Sequence, residues 1–237
     1  MPITLATITD RETVRSDLVK ELLRRKAGNP GYRVIDIGGR HNPWADAAVD
    51  AYADIFEFDT RKKLYVGDIQ GEQLWRDIEA DGPFDFAIIS HVLEDVRYPM
   101  TALQWMPRVA RAGFLGLPSR HTEFSNGNSG YWLGRSHHAW IFTVQLHDGA
   151  PVLRAVPKMP CVEYFNHGRP VPVSEGGDRF GPRDLPWLRP ELSDRDNEFV
   201  VRWEGDLPFT VPDYSLDDSE QIALYRDQLA NAVEDPH

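Results

Sequence analysis

Cysteine is almost missing from this chain. Cys161 is its only one, which excludes an intrachain disulfide and any zinc cage built from several thiolates. Long hydrophobic runs are missing as well: no stretch approaches the ~18 consecutive apolar residues of a membrane span, so no membrane partner is expected. The N-terminus, Met1-Pro2-Ile3-Thr4, lacks the basic segment followed by an apolar run that marks a secretory signal. These absences together predict a cytoplasmic protein. Positive charge is in deficit, with 26 Lys and Arg against 37 Asp and Glu and a net charge of -11. Nucleic-acid binders usually show the opposite balance, so a small molecule is the expected partner and nucleic acid is not. No Gly-x-Gly-x-x-Gly occurs, which argues against a nicotinamide or flavin dinucleotide.

What is present fits one α/β domain. The 237 residues are 41% hydrophobic, enough for a sizeable core in a single unit spanning 1–237. Thr9 or Asp10 is placed to cap a helix carrying Val14, Leu18, Leu22 and Leu23, stopped by Gly28-Asn29-Pro30-Gly31. This segment, 1–30, reads as a packing helix, with a lid over the site as the alternative. Residues 33–39 read as a buried strand running into a glycine turn. Ala47-Ala48-Val49-Asp50 reads as a second strand and residues 63–68 as a third, each ending in an acid. Residues 84–91 and 113–118 complete five strands, with a helix opened by Pro99 and interrupted near Pro107 between the last two. Strands alternating with crossovers imply a mainly parallel sheet with helices on both faces, here in the order 3-2-1-4-5.

After Pro118 the texture changes. Residues 119–190 form a substrate-side insertion: a Gly-, Ser- and Asn-rich loop to 136, a hairpin pairing 138–143 with 152–156 across Gly149, and a Pro- and Gly-rich flap over 169–190. Residues 198–203 and 207–211 read as a second strand pair, and Ser215 as the cap of a last helix with Ile222, Leu224 and Leu229. The late strands lack helical crossovers, so they are expected to extend the main sheet in antiparallel fashion.

Acids at consecutive strand ends are the most informative pattern. In a doubly wound sheet, ligands sit beyond the carboxyl ends of the strands at the switch point. A glycine turn after the first strand admits close backbone approach, an acid after the second can accept hydrogen bonds from ribose hydroxyls, and an acid after the third can accept one from an adenine amino group. Asp36-Ile37-Gly38-Gly39, Asp50 and Asp68 take these places. Asp59 competes with Asp50 if the second strand is instead 55–58. Arg40 stands where a further glycine is usual.

Val34-Ile35-Asp36-Ile37-Gly38-Gly39, Phe84-Asp85-Phe86 and Ser90-His91-Val92-Leu93-Glu94-Asp95-Val96 together resemble the class I S-adenosylmethionine (SAM)-dependent methyltransferases. The nearest likeness is to a bacterial subgroup whose Pro-Ser-Arg-x-x-Glu and His-His-x-Trp motifs match Pro118-Ser119-Arg120-His121-Thr122-Glu123 and His137-His138-Ala139-Trp140. The resemblance covers about residues 33–160. It implies a Rossmann-like fold and SAM as cofactor, with Asp36, Gly38 and Gly39 flanking its methionine part and Arg40, a departure from the family, crowding that cofactor turn. It further implies Asp50 at the ribose, Asp68 with Ile69 at the adenine, and Ser90 and His91 near the methyl group.

His91 and Glu94 follow the fourth strand, while Arg120, Tyr131, His137 and His138 follow the fifth. A histidine or carboxylate there can take a proton from an attacking oxygen or nitrogen, although in-line positioning carries much of methyl transfer. The alternative for His91 and Glu94 is a cofactor-orienting role. His41, His91, His137, Glu94 and Asp95 match no recognised metal spacing, so no metal is expected. The leading expectation is methylation of an oxygen or nitrogen of a small molecule. Two others stay open: a reaction of the same fold at the aminocarboxypropyl chain of SAM, by intramolecular cyclisation or lyase chemistry releasing methylthioadenosine, and a non-catalytic SAM-binding module. Oligomeric state is not legible.

Overall fold

The computed structural model describes residues 2–40, 43–124, 135, 137–158, 197–212 and 218–233. Tyr131, Ser215 and the segment 169–190 lie outside the described residues, as does most of the loop before 137.

Five parallel strands form the centre: β2 (Val34–Ile37), β3 (Ala51–Asp54), β4 (Lys63–Val66), β5 (Phe86–Ser90) and β6 (Ala112–Pro118). They lie in the order β6-β5-β2-β3-β4, the 3-2-1-4-5 arrangement of the expected Rossmann-like fold. Two strands extend this sheet beyond β6. β9 (Glu198–Glu204) pairs antiparallel with β6, and β1 (Ile3–Thr9) pairs antiparallel with β9. The switch point therefore falls between β2 and β5, whose register puts Val34 beside Phe86 and Ile37 beside Ile89.

Several expectations fail in the structure. The segment 1–30 is not one helix, since Ile3–Thr9 forms β1 before α1 (Arg11–Gly28). The Ala47–Asp50 segment is not a strand: Asp46–Ala48 is a 3-10 turn, and β3 begins at Ala51. Nor does a strand run over 55–58, because Ile55 and Phe56 are exposed once the buried run Ala51–Asp54 ends. The hairpin β7 (Trp140–His147) and β8 (Ala150–Pro157) does form, turned by Asp148 and Gly149 at φ 50° and 79°, as a tight hairpin requires. It does not join the main sheet. With β10 (Phe209–Thr210), which runs parallel to β8, it makes a separate three-stranded sheet. Residues 198–203 and 207–211 thus go to different sheets rather than pairing with each other.

Period-two alternation sorts the parallel strands between two apolar layers. Val34, Phe86, Ile88, Phe114 and Val200 face Leu18 and Leu22 of α1 (Arg11–Gly28), together with Trp44. Asp10 caps that helix by accepting from the Thr13 N–H at 2.9 Å, while Leu23 points outward. Ile35, Ile37, Ala87, Ile89 and Leu115 face the other way. They pack with Leu74, Trp75 and Ile78 of α2 (Glu72–Ala80), with Leu103 and Met106 of α3 (Pro99–Val109), and with Trp140, Phe142 and Leu153 of the hairpin. α3 runs on past Pro107 to Val109; a proline this near the end of a helix removes a single backbone bond. α4 (Arg120–Glu123) follows β6, and α5 (Asp218–Ala230) buries Tyr225 against the Phe124 ring. No helix among the described residues is long and apolar enough to cross a membrane.

Candidate active site

The carboxyl ends of the parallel strands gather two groups of polar residues, one on each side of the switch point. On the β2-β3-β4 side, the chain turns sharply at Gly38, whose φ of 79° suits glycine and whose N–H donates to Ala53 O at 2.8 Å. A Cβ on Gly38 would lie 2.3 Å from Val92 Cγ2, and one on Gly39 would lie 2.5 Å from the Asp36 carboxyl. The two glycines let the turn fold tightly against β2 and the start of the segment after β5. Asp36 points to the α1 side, buried, with Trp44 N–H donating to it at 3.3 Å. Burial pushes its carboxyl up to about 7, only partly offset by that hydrogen bond.

The second-strand acid is Asp54, not Asp50. Asp54 is the last residue of β3; one oxygen accepts from Phe56 N–H at 3.1 Å, and the other has no protein partner among the described residues. Asp50 sits at the opposite, amino-terminal edge of the sheet. There it accepts from Val34 N–H at 2.8 Å and pairs with Lys26 Nζ at 2.6 Å, a structural brace far from the strand ends that face ligands. Asp59 lies exposed in the loop beyond. Asp68 follows β4 as expected, exposed, and accepts from Gln70 N–H at 2.9 Å. The adjacent Ile69 is buried and its carbonyl accepts from Trp75 Nε1 at 2.8 Å. Arg40 places its guanidinium 5.4 Å from the Phe56 ring.

On the β5-β6 side lies a cleft of about 270 Å³. His91 is its centrepiece. It leaves β5 in a left-handed conformation, φ 53°, which a non-glycine residue holds only when its surroundings fix it. Its N–H donates to Gly116 O at 2.9 Å. Nδ1 lies 3.0 Å from Glu94 Oε1, and Nε2 lies 2.9 Å from Glu198 Oε2. Burial works against a charge on this ring, yet Glu198 and Glu94 outweigh it and hold His91 up at about 9. Both nitrogens then donate to carboxylates, and neither is available to take a proton. Burial also raises Glu198, against the pull of His91. Gly116 makes room for the group, since a Cβ there would meet Ser90 Oγ at 2.7 Å and Glu198 Oε1 at 2.8 Å. Ser90 Oγ, Glu94 Oε2, Asn197 Oδ1 and Trp44 Nε1 are buried without hydrogen-bond partners among the described residues. Native proteins seldom leave several such atoms together unless a ligand or water meets them.

The far wall of the cleft carries His137, His138 and Asp95. His138 is buried with Nδ1 hydrogen-bonded to Glu123 Oε1, and Glu123 pairs with Lys158 Nζ at 2.6 Å. Burial opposes the charge of Glu123, but Lys158 and His138 prevail and hold it below the usual carboxylate range. Asp95 is raised, first by burial and then by Glu94.

The structure therefore brings His91, Glu94, His137 and His138 to one cleft. Arg120 is not among its lining residues; Thr122, two residues on, takes that side, and the guanidinium groups come from Arg11 and Arg135. Sequence reasoning missed Arg11, Asp54 and Glu198. Glu198 left one trace: an acid opening the apolar run Phe199-Val200-Val201, where a charge needs a buried partner. Asp54 left another, closing Ala51-Tyr52-Ala53 as Asp50 precedes it.

No family model and no curated protein matches the sequence. Among solved structures, the chain is similar to the N-terminal domain of EvdMO1 with S-adenosylhomocysteine (SAH) bound, at 14% identity over 78% of this chain and 80% of that one, TM-score 0.36. It is similar to a cyclopropane-fatty-acyl-phospholipid synthase-like protein from Lactobacillus casei ATCC 334, at 12% identity over 84% and 96% of the two chains, TM-score 0.36. It is also similar to the MycE methyltransferase of the mycinamycin pathway, in complex with Mg, SAH and mycinamycin VI, at 14% identity over 89% and 54%, TM-score 0.36. Likenesses this distant leave the question of activity to the chain's own residues.

Proposed function

We infer that the protein is a SAM-dependent methyltransferase acting on an oxygen or nitrogen of a small polar molecule. The observation that carries this reading is the row of acids closing three neighbouring parallel strands around a glycine turn: Asp36 in β2, Asp54 ending β3 and Asp68 after β4. That row suits a nucleoside with a charged amino-acid tail at the switch point. Asp54, with one unpartnered oxygen, would hold the ribose hydroxyls; Asp68 and Ile69 would hold the adenine; the Gly38-Gly39 turn would lie along the methionine part. Ser90 Oγ and Trp44 Nε1, buried and without partners among the described residues, are further donors fitted to a polar ligand. When bound, the cofactor supplies an electrophilic methyl group on its sulfonium.

His91 enters this reading as a cationic brace rather than as a base. It holds Glu94 and Glu198 at fixed positions, and their remaining lone pairs can accept hydrogen bonds from a hydroxyl or amine. Orientation of the acceptor is then the main contribution of the cleft. Its modest volume favours a small acceptor.

Calorimetry with SAM and SAH is the direct test, followed by product analysis after incubation with SAM. Binding of both, and turnover to SAH only with an acceptor present, support the reading. Release of methylthioadenosine from SAM alone would replace it with chemistry at the aminocarboxypropyl chain. No binding of either molecule at millimolar concentration would remove it.

A further inference from the structure

Asp95, His137 and His138 converge on the cleft wall with one ligand-type atom from each lying within 4.8 Å of the others. His137 Nε2 is 3.8 Å and His138 Nε2 is 3.7 Å from Asp95 Oδ1. Both separations are too long for hydrogen bonds, which end near 3.2 Å for N–H···O. Both are close to the spacing of ligands around one small cation: metal–ligand bonds of about 2.0–2.1 Å put tetrahedral neighbours roughly 3.3 Å apart. Toward Asp95 the approach needed is a few tenths of an ångström; between the two imidazoles, whose ligand atoms lie within 4.8 Å of each other, it is larger, and the exposed His137 side chain can supply it.

The group behind His138 is what metal-binding histidines ordinarily have. Its Nδ1 is engaged by the buried Glu123, itself held by Lys158. Nδ1 is the ring nitrogen that Glu123 engages and Nε2 is the one turned toward Asp95, the orientation that a carboxylate behind a ligating imidazole enforces. His91 is paired with Glu94 and Glu198, and Glu123 with Lys158; Arg11 and Arg135 also line the cleft, and Asp95 is the carboxylate that faces both His137 and His138.

We propose that Asp95, His137 and His138 form a binding site for a divalent transition-metal ion of the zinc class, with its open positions facing the cleft. Two imidazoles and one carboxylate select borderline ions such as Zn²⁺, Co²⁺ or Ni²⁺ over Mg²⁺, which prefers oxygen ligands only. An ion held there would bind the hydroxyl or carboxylate oxygen of a molecule in the same cleft as a Lewis acid. The site stands on its own residues, so its test is separate from that of the cofactor.

The experiment uses the full chain without an affinity tag, stripped with chelator, then titrated with Zn²⁺ by calorimetry and with Co²⁺ by its visible absorption. Wild-type protein is expected to bind one equivalent tightly, with a Co²⁺ spectrum typical of mixed nitrogen and oxygen ligands. His137→Ala and Asp95→Asn, at side chains 62% and 42% exposed, are expected to melt like wild type without metal. Each should weaken Co²⁺ binding by roughly tenfold or more, at least what loss of a supporting partner costs. Binding unchanged in both variants, absence of Co²⁺ binding to wild type, or displacement of Co²⁺ by equimolar Mg²⁺ would each overturn the proposal.

Discussion

The two ends of the parallel strands treat their acids differently. At the amino-terminal edge the carboxylates are fully committed to the protein. Asp50 ties Lys26 to the Val34 N–H, and Asp85 accepts from the Arg33 N–H at 2.8 Å while pairing with Arg111 at 3.2 Å. At the carboxyl edge the acids are underused or strained. Among the described residues, Asp36 is buried with one long hydrogen bond, Asp54 keeps an oxygen without a partner, and Glu94 buries one too. Glu94 and Glu198 share a single imidazole. Acids satisfied by the chain hold the sheet together; acids left unsatisfied at the switch point are those a ligand can complete. Substitution at either end should therefore separate stability from binding.

The largest effect is expected at His91. His91→Ala leaves Glu94 and Glu198 buried without their shared cation, and removing one member of such a group costs about 3–5 kcal/mol. Urea denaturation of the variant at pH 7 measures it; a loss under 1 kcal/mol would mean that the carboxylates are already neutral and the brace does not exist. The same group predicts a pH dependence. Its folded pKa, about 9, lies above its ordinary 6.5, so the stabilisation is fully present below pH 6.5 and is lost as pH rises through 9. The decline is on the order of 3 kcal/mol. Denaturation midpoints measured from pH 6 to 10 should follow that slope in wild type and lose most of it in His91→Asn.

Asp54 comes next and is the sharpest test of the ligand-facing edge. Asp54→Ala should weaken SAM and SAH by about ten- to hundredfold, the loss of a charge-assisted hydrogen-bond pair worth roughly 1.5–3 kcal/mol. Its thermal stability without ligand should change little, because its one protein contact is to a local backbone N–H. Equal affinity in the variant and wild type, by calorimetry, would detach the ribose from β3.

Why the sequence led to Asp50 is instructive. Asp50-Ala51-Tyr52-Ala53-Asp54 has an acid at each end of a short buried run, and local pattern does not say which alanine-rich neighbour pairs with β2. Register decides it: Ile35 lies beside Ala51 and Ile37 beside Ala53, which sends Asp50 to one edge and Asp54 to the other. The strands flanking the switch point were legible because Val34-Ile35 and Ala87-Ile88-Ile89 are apolar on both faces. β1 was not. Its β-branched residues Ile3, Thr4, Thr7, Ile8 and Thr9 favour a strand, but its partner β9 lies at the other end of the sequence, so no neighbouring segment marked it as part of a sheet. His91 was legible as a site residue, but its role was not, since Glu198 lies 107 positions away. A histidine beside one glutamate reads as a base; between two it is an imidazolium. Residues 138 and 140 were expected on one strand, whereas β7 starts at Trp140 and leaves His137 and His138 in the turn before it, free of strand alternation and able to face Asp95 together.

The smallest predicted effect is at Asp50, and it closes the comparison from the other side. Asp50→Ala removes the acceptor for the Val34 N–H and the partner of Lys26, whose side chain is 22% exposed while that of Asp50 is 42% exposed. Exposure of this degree lets solvent screen the ion pair, so its contribution is small; the backbone hydrogen bond at the start of β2 is the larger loss. About 1 kcal/mol of stability should go, which for a chain of this size lowers the melting temperature by roughly 2–4 °C. SAM affinity, if the division between edges is right, should stay within a factor of two, because nothing at the carboxyl end of β3 depends on that carboxylate. Differential scanning fluorimetry beside calorimetry on Asp50→Ala and Asp54→Ala gives a two-by-two outcome. A melting shift without an affinity shift in the first, and the reverse in the second, supports the division. A joint loss of both in Asp50→Ala would mean that β2 carries strain from its amino-terminal start to the Gly38 turn, and the two ends of the sheet would no longer count as separate regions.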